Sequence, residues 1–137
     1  MKLNYMLIDD REIDLFINQK IIEKFSIESN FKTFTNAKLA LEYLYSLDDQ
    51  LGLESVFFPD IILLDINMPE MNGFQFLNAF SELNCEKLNT IKIYMLSSTT
   101  NLQEIIHAEQ HSACSGFIDK PLSVRRIQQI TKEFVLD

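Results

Sequence analysis

The sequence predicts an α/β fold: a doubly wound sheet of five parallel strands with helices on both faces. Two observations carry this. Short apolar runs alternate with helical patterns five times in succession along the 137 residues, and serial βα units imply a parallel sheet covered on both sides. One of those runs, Ile61 to Leu64, has four consecutive large aliphatics, as expected of a strand buried between two helix layers.

The elements follow in order. Tyr5 to Ile8 is a brief apolar run after a polar start. From Arg11 to Phe25, apolar residues fall at Ile13, Phe16, Ile17, Ile21 and Phe25, which is helical spacing. Phe31 to Thr35 alternates apolar with polar and is rich in strand formers. Ala37 to Leu47 reads as a helix with Leu41, Leu44 and Tyr45 on one side and Asn36 as its cap. Asp48 to Phe58, with Gly52 and mixed polarity, reads as a surface loop. After the Ile61–Leu64 strand comes a Pro69 to Gly73 turn, then a helix marked by Phe74, Leu77, Phe80 and Leu83. Ile91 to Leu96 is the fourth strand, and Leu102, Ile105 and Ile106 mark a short helix. Gly116 to Ile118 is the fifth strand. Val124, Ile127, Ile130 and Phe134 make a last amphipathic helix capped by Ser123.

Composition narrows the function. Nearly half the residues are apolar, with eleven Phe against three Gly and three Pro, so the chain is neither disordered nor fibrous. It reads as a single domain, residues 1–137, with no repeat, no linker and no appended effector domain. Twelve basic against twenty acidic residues give a net charge of -8; this opposes binding to nucleic acid, whose affinity comes from Lys and Arg. No basic cluster serves an anionic lipid surface. The apolar runs fall well short of the roughly 20 residues of a membrane span, and MKLNYMLIDD meets two aspartates too early for a signal peptide. Cys85 and Cys114 lack metal-ligand spacing and read as free thiols of a cytoplasmic protein.

In sheets of this kind, ligands bind beyond the carboxyl ends of the strands. Asp9 and Asp10 follow the first strand, Asp65 the third, Ser97 and Ser98 the fourth, and Asp119, Lys120 and Pro121 the fifth. Taken singly, each has an ordinary explanation: a helix cap for Asp9-Asp10, a strand end for Asp65, a turn for Ser97, a strand exit for Lys120-Pro121. Together they place several carboxylates on one rim, where mutual repulsion and desolvation call for a cation. Mg²⁺ takes oxygen ligands and needs only one or two carboxylates. With a lysine and a hydroxyl it meets the charge requirements of a phosphoryl group.

The segments Ile8–Asp10 (IDD), Ile61–Gly73 (IILLDINMPEMNG), Met95–Ser98 (MLSS) and Gly116–Pro121 (GFIDKP) resemble, in order, the receiver domains of two-component response regulators. The spacing also fits: 55 residues from Asp10 to Asp65, 32 more to Ser97 and 23 more to Lys120. The resemblance implies the flavodoxin-like receiver fold with strand order 2-1-3-4-5. It implies Asp65 as phosphoacceptor and Mg²⁺ (Mn²⁺ as a substitute) held by Asp9, Asp10, Asp65 and the backbone carbonyl of Asn67. Lys120 would neutralise the transferring oxygens, and Lys120-Pro121 would be a cis peptide. Ser97 would move to the phosphoryl group, with Phe117 following. Phosphorylation would thereby switch the face built from the fourth helix, fifth strand and fifth helix.

Implied partners are a sensor histidine kinase or a histidine phosphotransfer protein, a downstream protein target, and a second copy through the switch face. The kinase would meet the rim and the first helix. Departures from the common pattern are mild: Ser97 where Thr is as usual, Phe117 for the frequent Tyr, Ser98 for a smaller residue. Asn67 and Thr99 occupy positions that in the family influence how long the aspartyl phosphate lasts. The resemblance implies a signalling domain rather than an enzyme acting on other substrates. Three rivals stand beside it. A phosphohydrolase of the haloacid-dehalogenase type wants an acid/base Asp where Asn67 stands. A flavin-binding module wants a hydroxyl-rich loop where Asp9-Asp10 stands. A docking domain that is never phosphorylated gives no reason for Asp10, Asp65 and Lys120 to coincide.

Overall fold

In the computed structural model, which describes residues 2–50 and 56–134, the apolar runs become five parallel strands in one sheet. These are β1 (Asn4–Ile8), β2 (Asn30–Phe34), β3 (Ile61–Asp65), β4 (Lys92–Ser97) and β5 (Gly116–Asp119). Their order is β2-β1-β3-β4-β5, as expected. The helices are α1 (Glu12–Phe25), α2 (Ala37–Gln50), α3 (Gly73–Ser81), α4 (Leu102–Gln110) and α5 (Val124–Ile130), with 3-10 turns at Leu88–Thr90 and Lys132–Phe134. Every residue of β3 is buried, because both its edges are paired and both its faces are covered.

Side chains alternate across the pleat, which divides the interior in two. Met6, Ile8, Ile62, Leu64, Ile93 and Met95 meet Leu44 and Leu47 of α2, Phe76, Leu77 and Phe80 of α3, and Ala108 of α4. Tyr5, Leu7, Ile61, Leu63, Leu96 and Ile118 meet Leu15 and Ile22 of α1 and Ile127 and Ile130 of α5. Helices α1 and α5 therefore cover one face and α2, α3 and α4 the other.

Asn36 and Ser123 act as the expected caps, accepting from the backbone N–H groups of Lys38 and Leu39 and of Arg126. Asn72 and Gln75 form a reciprocal capping box at the start of α3.

Several helix faces differ from their expected stripes. Ile13, Phe16 and Ile17 are 54, 59 and 43% exposed, and α1 instead buries Leu15, Asn18 and Ile22. Large apolar residues lie on two sides of this helix, so spacing alone does not say which side is inward. On α2, Tyr45 is exposed, whereas Ala37, Ala40, Leu44 and Leu47 are buried; the alanines fit a close helix-to-sheet approach that larger residues would obstruct. Leu102 and Ile106 are also exposed, and α4 is anchored through Ala108. Of the expected Asp48–Phe58 loop, residues 48–50 extend α2, residues 56–58 are coil, and 51–55 lie outside the described residues.

Candidate phosphoacceptor site

The carboxyl ends of β1, β3, β4 and β5 form one rim. Asp9 leaves β1 with its N–H donating to the carbonyl of Phe34 (3.1 Å), and its Oδ1 accepts from the N–H of Arg11 (3.0 Å). Asp9 thus braces the strand exit and does not cap α1, whose N-cap is Arg11 with no side-chain cap bond. Asp10 beside it is exposed. Asp65, the last residue of β3, is buried. One carboxylate oxygen from each of Asp9, Asp10 and Asp65 lies within 4.8 Å of the others.

Close packing beneath β3 fixes Asp65. The Gly73 N–H donates to the carbonyl of Ile66 (2.7 Å). A Cβ on Gly73 would lie 2.7 Å from the Asp65 carbonyl oxygen and 2.6 Å from Met95 Cε. Glycine at that position lets α3 start directly under the strand end.

Lys120 arrives from β5. Its N–H donates to the carbonyl of Ser97 (2.9 Å), tying the ends of β4 and β5 together, and the Lys120–Pro121 peptide is cis. Its Nζ lies 3.0 Å from Asp9 Oδ2, 3.2 Å from Asp14 Oδ2 and 3.3 Å from Asp65 Oδ1. Burial works against the ammonium, but the hydrogen bond to Asp9 and the charges of Asp65 and Asp9 outweigh it, holding Lys120 well above the ordinary lysine range. Asp65 moves the other way from a normal carboxylate. Burial, then the charge of Asp9, pushes it up to about 6, against the downward pull of Lys120.

The remaining expected residues stand further out. Ser97 is buried at the end of β4, its Oγ accepting from the N–H of Thr99 (3.2 Å). Asn67 is exposed two positions beyond Asp65. Phe117 is half-buried in β5 opposite Met95, and its carbonyl accepts from Arg126 Nη2 (3.0 Å). Asp14 was not foreseen. An acidic residue in a first helical turn is ordinarily explained by the helix dipole, so nothing in the sequence links it to a lysine 106 positions away.

Three carboxylates, Asp9, Asp14 and Asp65, thus surround one ammonium, and Asp10 adds a fourth to the rim. The donors of the Asp9, Asp10 and Asp65 cluster are all carboxylate oxygens, the ligand type that hard divalent cations take, and the excess negative charge favours such an ion. The cluster fits Mg²⁺.

The chain matches the family profile described as response regulator receiver domain over residues 5–132. It resembles the crystal structure of a response regulator receiver protein from Dyadobacter fermentans, with a TM-score of 0.81, 28% identity and full coverage of both chains. Among curated proteins it is 29% identical over 129 residues to the two-component response regulator ORR1 of Oryza sativa subsp. indica, covering 93% of this chain and 53% of that protein. It is 25% identical to the polar-differentiation response regulator DivK of Brucella ovis, covering 100% of this chain and 99% of that one. The chain spans about half the length of the ORR1 proteins it matches in the two Oryza sativa subspecies.

Proposed function

This chain belongs to the response regulator receiver domain family, and on that premise we propose that it accepts a phosphoryl group on Asp65 from a phosphohistidine of a sensor kinase or histidine phosphotransfer protein. The observation that carries the reading is the Lys120 ammonium 3.3 Å from Asp65 Oδ1, beside the Asp9 and Asp10 carboxylates. An Asp65 oxygen attacks phosphorus, forming an O–P bond. The N–P bond to the donor imidazole breaks and its electron pair returns to that nitrogen, so that the ring, already protonated on its other nitrogen, leaves as neutral imidazole. Burial of β3 holds the nucleophile in one place, the condition for in-line attack. Lys120 offsets the charge on the transferring oxygens.

Asp9, Asp10, Asp65 and the Asn67 carbonyl would hold Mg²⁺, which when bound supplies charge neutralisation for the phosphoryl oxygens. Once Asp65 is phosphorylated, the Ser97 hydroxyl turns from Thr99 to a phosphoryl oxygen, and Phe117 follows toward the space left by the β4 loop. This remodels the groove lined by Ile105, Glu109, Phe117, Pro121 and Arg126, the surface a downstream protein or a second copy would read. Near the rim, α1 presents Ile13, Phe16 and Ile17 to solvent, and this apolar face is where the phosphodonor protein docks.

Incubation with Mg²⁺ and acetyl phosphate tests the assignment by intact mass. One phosphoryl group should add to the wild-type chain, stable in acid and released in base, and none to Asp65→Asn. Equal uptake by the Asn variant would place the acceptor elsewhere.

A further inference from the structure

Lys120 has three N–H bonds, and three carboxylates lie within reach: Asp9 (3.0 Å), Asp14 (3.2 Å) and Asp65 (3.3 Å). Two of these belong to the cluster of Asp9, Asp10 and Asp65 suited to a cation; Asp14 does not. We infer that Asp14 is a positioning residue for phosphoryl transfer, holding the Lys120 ammonium at the rim when Asp9 and Asp65 are engaged by the cation and the phosphoryl group. This rests on the reading of Asp65 as the phosphoacceptor.

The physical need comes from the lysine itself. Its charge is a strongly hydrated point on a flexible four-carbon stem, so a partly open site does not fix it without a partner. Metal binding draws on two of the carboxylates, Asp9 and Asp65, that otherwise hold Nζ. Lys120 would then face solvent on one side, its side chain already 20% exposed. Asp14 offers a partner outside the cation cluster, 3.2 Å from Nζ, on a rigid support: α1 is pinned to the core through Leu15 and Ile22. The Asp14 side chain is 23% exposed, so water screens the pair only in part. Arg11 Nε lies 3.9 Å from the same Oδ2, but that side chain is 70% exposed, and a pair of this kind contributes little. Lys120 is thus the main partner of Asp14.

The test uses the full chain with saturating Mg²⁺ and two readouts. In the first, a lysine-acylating reagent is applied and modification of Lys120 is followed by peptide mass spectrometry, with Lys38 and Lys20, both exposed, as internal references. Asp14→Asn should raise the labelling rate of Lys120 several-fold and leave the references unchanged, and Asp14→Glu should restore much of the protection. In the second, phosphoryl uptake from acetyl phosphate should slow in Asp14→Asn, by up to roughly the hundredfold that a misplaced group can cost, and recover partly in Asp14→Glu. Unchanged Lys120 labelling or unchanged uptake in Asp14→Asn overturns the inference and leaves the Asp65 reading intact. Failure of the wild-type chain to take up any phosphoryl group overturns the Asp65 reading itself.

Discussion

The Asp65 carboxyl is 8% exposed and faces Asp9, so its charged form is disfavoured when no cation is bound. Its folded-state value of about 6 stands above the ordinary 3.8. The contribution to stability is therefore fully present below about 3.8 and is lost as pH rises through about 6; above that, the native state carries an ionised group it would rather protonate. Asp65→Asn removes this burden, and Lys120 still has Asp9 and Asp14 as partners. In metal-free buffer near pH 7.5 the Asn variant should be more stable by on the order of 2 kcal/mol. The gain should shrink as pH falls from 6 toward 4. Urea midpoints of both proteins across that range measure it, and a pH-independent difference contradicts the account. Asp65 was legible in the sequence because an uninterrupted apolar run drives into it. The contact of Asp14 was not, because it is made with a lysine that only the folded sheet brings near.

Between β3 and α3, position and packing are inseparable. The Gly73 backbone sits so close under the Asp65 carbonyl that an added methyl would approach to 2.7 Å of it. Met95 can swing its Cε aside, but the strand backbone cannot yield without carrying Asp65 along. Gly73→Ala should cost about 1–3 kcal/mol, the range for overpacking a filled interior, and phosphoryl uptake should fall with it. A variant with wild-type urea midpoint and wild-type uptake would show that the approach is looser than this. The same element marks the limit of pattern reading. Burial of β3 follows from four aliphatics in a row, whereas α1 has apolar residues on two sides, and which side turned inward was settled by packing. On α2 the inward stripe starts with Ala37 and Ala40, too small to stand out beside Leu41 and Tyr45.

The rim exists only in the whole molecule. Asp9, Asp65 and Lys120 come from the ends of three different strands, and the unfolded chain has no such cluster. A cation that binds the cluster must therefore stabilise the folded state by mass action, about 2.7 kcal/mol at a hundredfold excess over its dissociation constant. For a domain of this size that amounts to a rise in melting temperature of several degrees. The chain also carries a net charge of -8, and any salt relieves some of that repulsion. The decisive comparison is MgCl₂ against NaCl at matched ionic strength. Mg²⁺ should raise the melting temperature of the wild-type protein beyond the NaCl control. Asp10→Asn should lose most of that excess without losing stability of its own, because Asp10 is exposed and only its place in the cluster gives it weight. Equal responses to the two salts would mean that the three carboxylates repel one another without forming a cation site.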